Sequence, residues 1–79
     1  MKVINYGLNK TELELNSGAR VFVSYETPVA AFVPDMGYIR TATKWSRTTS
    51  KHINQWLSCR LTEAKIVPQT VLNELIDVV

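Results

Sequence analysis

Histidine and cysteine each occur once, as His52 and Cys59, seven positions apart. On one helix that spacing separates them by about 10.5 Å along the axis, well beyond the roughly 2.6–3.2 Å over which a base activates a thiol. The two therefore read as a polar first-turn residue and a small packed hydrophobe. One histidine, one cysteine and scattered carboxylates make no metal-ligand spacing. Glu12 and Glu14 share one face of a strand, where a pair of solvated carboxylates is the ordinary outcome. The glycines, Gly7, Gly18 and Gly37, stand singly near turns, so there is no glycine loop to cradle a phosphate. These residues predict a protein that is not an enzyme and carries no metal or cofactor.

The stretch WSRTTSKHINQWL, Trp45 to Leu57, is chemically richer. A helix starts with up to four N–H groups that lack intrahelical partners and with a partial positive charge, and such an end attracts anions. Thr48, Thr49 and Ser50 add hydroxyls there, and Arg47 and Lys51 add full charges. Before them, Tyr38, Arg40, Ala42 and Lys44 alternate onto one face of a strand, with Tyr38 placed to stack on a base. The candidate site for a nucleic acid or another anion is thus Tyr38, Arg40, Lys44, Arg47, Thr48, Thr49, Lys51 and His52. A plainer reading stands beside it. Serine and threonine are favoured caps because they accept from the same N–H groups, so Ser46, Thr48, Thr49 or Ser50 can be the N-cap of an ordinary solvated helix end. The cations argue the other way, since Arg47 and Lys51 sit at the end where positive charge is mildly unfavourable. Trp56 lies in the apolar stripe of the helix. Trp45 falls on the Ile39, Thr41 and Thr43 face, which predicts burial between sheet and helix.

The charge is segregated. Met36 to Thr62 holds five cations (Arg40, Lys44, Arg47, Lys51 and Arg60) and no carboxylate, whereas the segments before and after carry −1 and −2, within a total of +2. Such segregation makes a local field that the balanced total hides. The chain is 79 residues long, 46% of them hydrophobic, which supports one small domain over residues 1–79 and excludes a disordered tail. A core of this size is also compatible with completion by a homodimer. The longest apolar run, PVAAFVP, falls far short of the roughly 20 residues that span a bilayer. MKVINYGLNK lacks the apolar stretch of a secretory signal, and a lone cysteine suits a reducing compartment, so the expected location is the cytoplasm.

The positioning elements follow from periodicity. TELEL (11–15) alternates as a strand, NSG is a turn signal and ARVFVSY (19–25) is a second strand. Thr27-Pro28 interrupts, because proline offers no ladder donor, and VAAFV (29–33) resumes. PDMG is a turn, and YIRTATKW (38–45) is the fourth strand. KVINY (2–6) is a candidate edge strand and AKIV a candidate short extended piece. Ile53, Trp56, Leu57 and Arg60 then recur at helical spacing, and Pro68 opens a last helix lined by Val71, Leu72, Leu75, Ile76 and Val79. The expected fold is α+β, an antiparallel β-meander of about four strands over residues 11–45, packed on one face by two helices near 49–60 and 68–78.

The order RVFVSYETPVAAF, WSRTTSKHINQWL, AKIVPQ resembles a family of small proteins found largely in bacteriophage genomes and classed as a domain of unknown function. The pattern rests on Ser24, Tyr25, Thr27, Pro28 and Ala30, then on Thr48, Thr49, Lys51, His52 and Asn54, and spans roughly residues 20–76. The resemblance implies a phage-type accessory or host-takeover protein acting in the host cytoplasm, and brings no catalytic residue with it. Two functions are then expected as rivals: binding of DNA or RNA through the basic segment, or inhibition or modulation of a host defence or transcription complex.

Overall fold

The computed structural model describes residues 2–7, 9–60 and 62–77, with the side chains of Cys59 and Asp77 outside the description. The expectations placed on Cys59 as a packed hydrophobe and on Val79 in the last helix lie outside the described residues. The chain forms β1 (Lys2–Gly7), β2 (Lys10–Glu14), β3 (Arg20–Ser24), β4 (Thr27–Val33), β5 (Gly37–Thr41), α1 (Arg47–Leu57), a 3-10 turn (Ser58–Arg60), β6 (Lys65–Val67) and α2 (Gln69–Asp77). The strands make one sheet in sequence order, antiparallel throughout except that β6 pairs parallel to β5. The α+β class is as expected. Six strands replace four because KVINY and KIV both join the sheet as its edges. A parallel pair needs a long crossover, and the segment carrying α1 supplies it.

The two helices lie on opposite faces rather than sharing one. Leu72 of α2 packs with Val21, Ala31, Ile39 and Val67, joined by Leu13, Val71, Leu75 and Ile76. Ile53 and Leu57 of α1 pack instead with Phe22, Val29 and Ala30, joined by Tyr38 and Trp56. The reason is in the central strands. Val21 and Phe22 are consecutive and both buried, as are Val29, Ala30 and Ala31. Successive side chains of a strand point to opposite faces, so a continuous apolar run requires cover on both sides, which two helices on one face would not give.

Three local departures matter for the site. Pro28 lies within β4 rather than interrupting it. It pairs with Val23 beside a bulge at Val29, beyond the residues of β4 that pair with β5. The strand expected to run to Trp45 ends at Thr41, whose hydroxyl accepts from Thr43 N at 3.0 Å and so bends the chain off the sheet. Between β3 and β4 the two-residue turn Tyr25–Glu26 has φ of 59° and 111° without a glycine, a conformation that costs side chains roughly 1–3 kcal/mol each. The Tyr25 N–H to Asn9 O at 3.0 Å and the packing of the Tyr25 ring on His52 hold that turn. No helix among the described residues is long and apolar enough to cross a membrane.

Two-sided burial makes a definite prediction for denaturant unfolding. Phe22→Ala should cost about 3–5 kcal/mol and Leu72→Ala about 2–5 kcal/mol, a large part of the roughly 5–15 kcal/mol of a whole domain, although they empty opposite faces. A neutral result for either would contradict double cover. Relief of the turn should act in the other direction, with Glu26→Gly raising stability by about 1 kcal/mol.

Candidate nucleic-acid interface

Ser46 is the N-cap of α1: its backbone is extended, with φ −161°, and its Oγ accepts from Thr49 N at 3.1 Å. The helix then docks through Thr49, His52, Ile53 and Leu57, all buried, with Trp56 partly buried beside them. Because 3.6 residues make a turn, that docking turns Arg47, Lys51 and Asn54 outward along one stripe. They meet the bent segment after β5, and together Lys44, Trp45, Ser46, Arg47, Ser50, Lys51 and Asn54 line a cleft of about 550 Å³. A smaller hollow beside it, lined in part by Arg40, Lys44, Trp45, Ser50 and Ile66, extends the same surface to β6.

Trp45 is 50% exposed, contrary to the expected burial, because the chain has left the sheet before reaching it. It is nevertheless held. Its indole N–H donates to Gln69 Oε1 at 3.2 Å, and the same oxygen accepts from Thr41 Oγ1 at 2.7 Å. Gln69 Nε2 donates in turn to Pro28 O at 2.6 Å and to Asn73 Oδ1 at 3.1 Å. Gln69 thus ties the start of α2 to β4, β5 and the tryptophan. Among the described residues, none of Arg40, Lys44, Arg47 and Lys51 makes a salt bridge, and the Nε of Arg40 is buried without a hydrogen-bond partner.

The structure therefore gathers Arg40, Lys44, Arg47 and Lys51 around Trp45, keeps Thr49 in the wall of the smaller hollow, and disperses the remaining candidates. Thr48 is exposed on the first turn but lines neither hollow. Thr49 is 5% exposed, and its hydroxyl is engaged by Ser24 and Ser46. Tyr38 is half-buried against Phe32 and Trp56, with the Arg60 guanidinium over its ring. His52 points inward, its Nδ1 2.9 Å from Ser24 Oγ. A serine and a histidine at that distance have the geometry of a nucleophile and its base, yet Ser24 is 1% exposed, so no substrate reaches it. Gln69 has no signal in the sequence, and Trp45 was expected in the interior rather than at the site.

A second cavity of about 400 Å³ opens on the other flank of α1, among Tyr6, Lys10, Glu12, Arg20, Phe22, Tyr38, His52, Gln55 and Trp56. Glu12, expected in solvent, is 2% exposed. Its Oε1 accepts from both Tyr6 Oη at 3.0 Å and Trp56 Nε1 at 2.8 Å. The alternation of TELEL is real, but the Glu12 side is the side that α1 covers. Partial burial and then the bond to Glu12 push the Tyr6 hydroxyl above its ordinary pKa.

The family model for the family of unknown function DUF8033 matches residues 1–74. The chain belongs to that family. Among curated proteins and among solved structures nothing matches the chain. The matched range takes in the basic surface, the second cavity and most of α2, so both hollows lie within the family's own domain.

Burial, reinforced by the charges of Lys10 and Lys51, lowers the pKa of His52 below its ordinary value of 6.5. The unfolded chain then binds a proton that the folded protein refuses, so stability falls as pH drops through about 6.5 towards the folded value and levels off beneath it. Denaturant midpoints measured downward from about pH 7 should show this decline, and His52→Gln should flatten it. A histidine titrating by NMR above 6.5 would contradict the assignment.

Proposed function

We propose that the protein binds nucleic acid in single-stranded form through the surface around Trp45, as a non-catalytic module without a cofactor. The observation that carries this reading is the convergence of four cations, without an ion pair among the described residues, on a half-exposed indole whose N–H is fixed. Cationic side chains track a phosphate backbone, and an indole face stacks on bases regardless of sequence. Neither hollow has a carboxylate among its lining residues, so nothing there repels phosphate. The hydroxyl of Ser50 and the amide of Asn54 add hydrogen-bonding groups. The setting proposed is the cytoplasm of a phage-infected host, with the protein as an accessory factor.

A second reading has one observation of its own. Ile66 is 70% exposed on the edge strand β6 and lines the same hollow as Trp45 and Arg40. An apolar residue bordered by cations fits an acidic protein surface, such as a nucleic-acid mimic or a subunit of a host defence or transcription complex, with docking on the open edge.

Fluorescence anisotropy with single- and double-stranded DNA and RNA oligonucleotides separates the two. Single strands should bind, and affinity should fall steeply with salt. Replacing Lys44, Arg47 and Lys51 together by Glu should abolish binding, and each lost phosphate contact should flatten the log–log salt slope by about 0.7. Trp45→Ala should cost about 1–3 kcal/mol. Affinity retained in the triple variant would remove the site. A host protein that stays bound after nuclease treatment and is released by Ile66→Glu would favour the second reading.

A further inference from the structure

We propose that the cavity between β1, β3 and α1 is a binding site for a nucleoside monophosphate unit. It is distinct from the Trp45 surface, which lies on the opposite flank of α1, and does not depend on it. Glu12 is a carboxylate 2% exposed on the cavity floor. Both of its hydrogen bonds, from Tyr6 and Trp56, fall on Oε1, and among the described residues it has no salt bridge. That leaves Oε2, among the described residues, without a hydrogen bond and not sealed off from solvent, so it is free to accept from a donor in the cavity. Lys10 and Arg20 line the same cavity, also without a salt bridge among the described residues. Around them the walls are aromatic, with Phe22 and Trp56 stacked at 5.4 Å.

These features exclude simpler ligands. A bare anion would meet Lys10 and Arg20 but be repelled by Glu12. An apolar ligand would strip water from three charged groups and give nothing in return. An amino acid would offer its ammonium group to Glu12, yet its one carboxylate would leave a cation over, and it would fill little of about 400 Å³. A nucleoside monophosphate meets every demand: an N–H of a neutral base donates to Glu12 Oε2, the ring lies against aromatic walls and the phosphate reaches Lys10 and Arg20. The volume lies within the roughly 300–1,000 Å³ typical of such sites. The unit can be a free nucleotide or the phosphorylated end of a strand.

The test is an NMR titration of the whole chain with the four ribonucleoside 5′-monophosphates, with inorganic phosphate, and with a short 5′-phosphorylated oligonucleotide. The Trp56 indole N–H, bonded to Glu12, is the reporter, and the Trp45 indole is the internal contrast. A saturable shift of Trp56 with a mononucleotide assigns a free nucleotide; a shift with the oligonucleotide alone assigns a strand end. Glu12→Gln keeps an acceptor for Tyr6 and Trp56 but turns an amide towards the base, and Lys10→Glu removes a phosphate contact. Each should weaken binding by about tenfold or more, while the Lys44, Arg47 and Lys51 triple variant should bind mononucleotide undiminished. No Trp56 shift with any nucleotide at about 1 mM, or the same shift with inorganic phosphate alone, would overturn the proposal. Should Glu12→Gln fail to fold, the Lys10→Glu comparison and the wild-type titration still decide it.

Discussion

Val21 and Phe22 are neighbours in the chain, face opposite sides of the sheet and are both shut off from water. With Ala30 and Ala31 opposite them in β4, they oblige the fold to cover two faces with only two helices. Each helix must therefore serve one face alone. For α1 the consequence is a fixed rotation: Thr49, His52, Ile53 and Leu57 go inward, and Arg47 and Lys51 are carried outward beside Lys44 and Trp45. The basic surface follows from how the core is covered.

One helix spread over a six-stranded sheet cannot cover it all. The aromatic pair Phe22 and Trp56 seals the centre, and the sheet beyond them, towards β1, is left as a cavity walled by Tyr6 and floored by Glu12. On the other flank, the chain bends away after Thr41 and leaves the hollow under Trp45. Both hollows are therefore consequences of the same helix placement. Each is also braced by one polar residue with several bonds, Gln69 on one side and Glu12 on the other. Such multiple polar contacts fix geometry where apolar packing alone would tolerate sliding.

Much of this was legible from local pattern. The meander, the turns at NSG and PDMG and both helical stripes are periodicity signals, and β2 to β5 and the two helices stand where those signals placed them, within a few residues. The opposite placement of the helices was written in VAAFV and in the VFV of β3 as unbroken apolar runs, which call for cover on both faces. TELEL alternates cleanly beside them, and its Glu12 face reads as solvated. Glu12 is dry because of Trp56, 44 residues away, and Trp45 is oriented by Gln69, 24 residues away. No local window contains such pairs. The cations of the candidate site were identifiable because charge segregation is visible in the chain, whereas Tyr38 and His52 were separated from them by the rotation of α1, and Thr49 reaches the smaller hollow only as a buried, hydrogen-bonded wall.

The central claim is that docking of α1 by its apolar face builds a ligand surface from Lys44, Trp45, Arg47 and Lys51. The most direct test is an amide and indole NMR spectrum of the chain titrated with an unphosphorylated single-stranded oligonucleotide. The account predicts that the Trp45 indole and the first two turns of α1 move first, and that the shifts fade as salt rises from about 50 to 200 mM. Resonances unmoved at the lowest salt, or shifts confined to the α2 face with Trp45 unchanged, would contradict it.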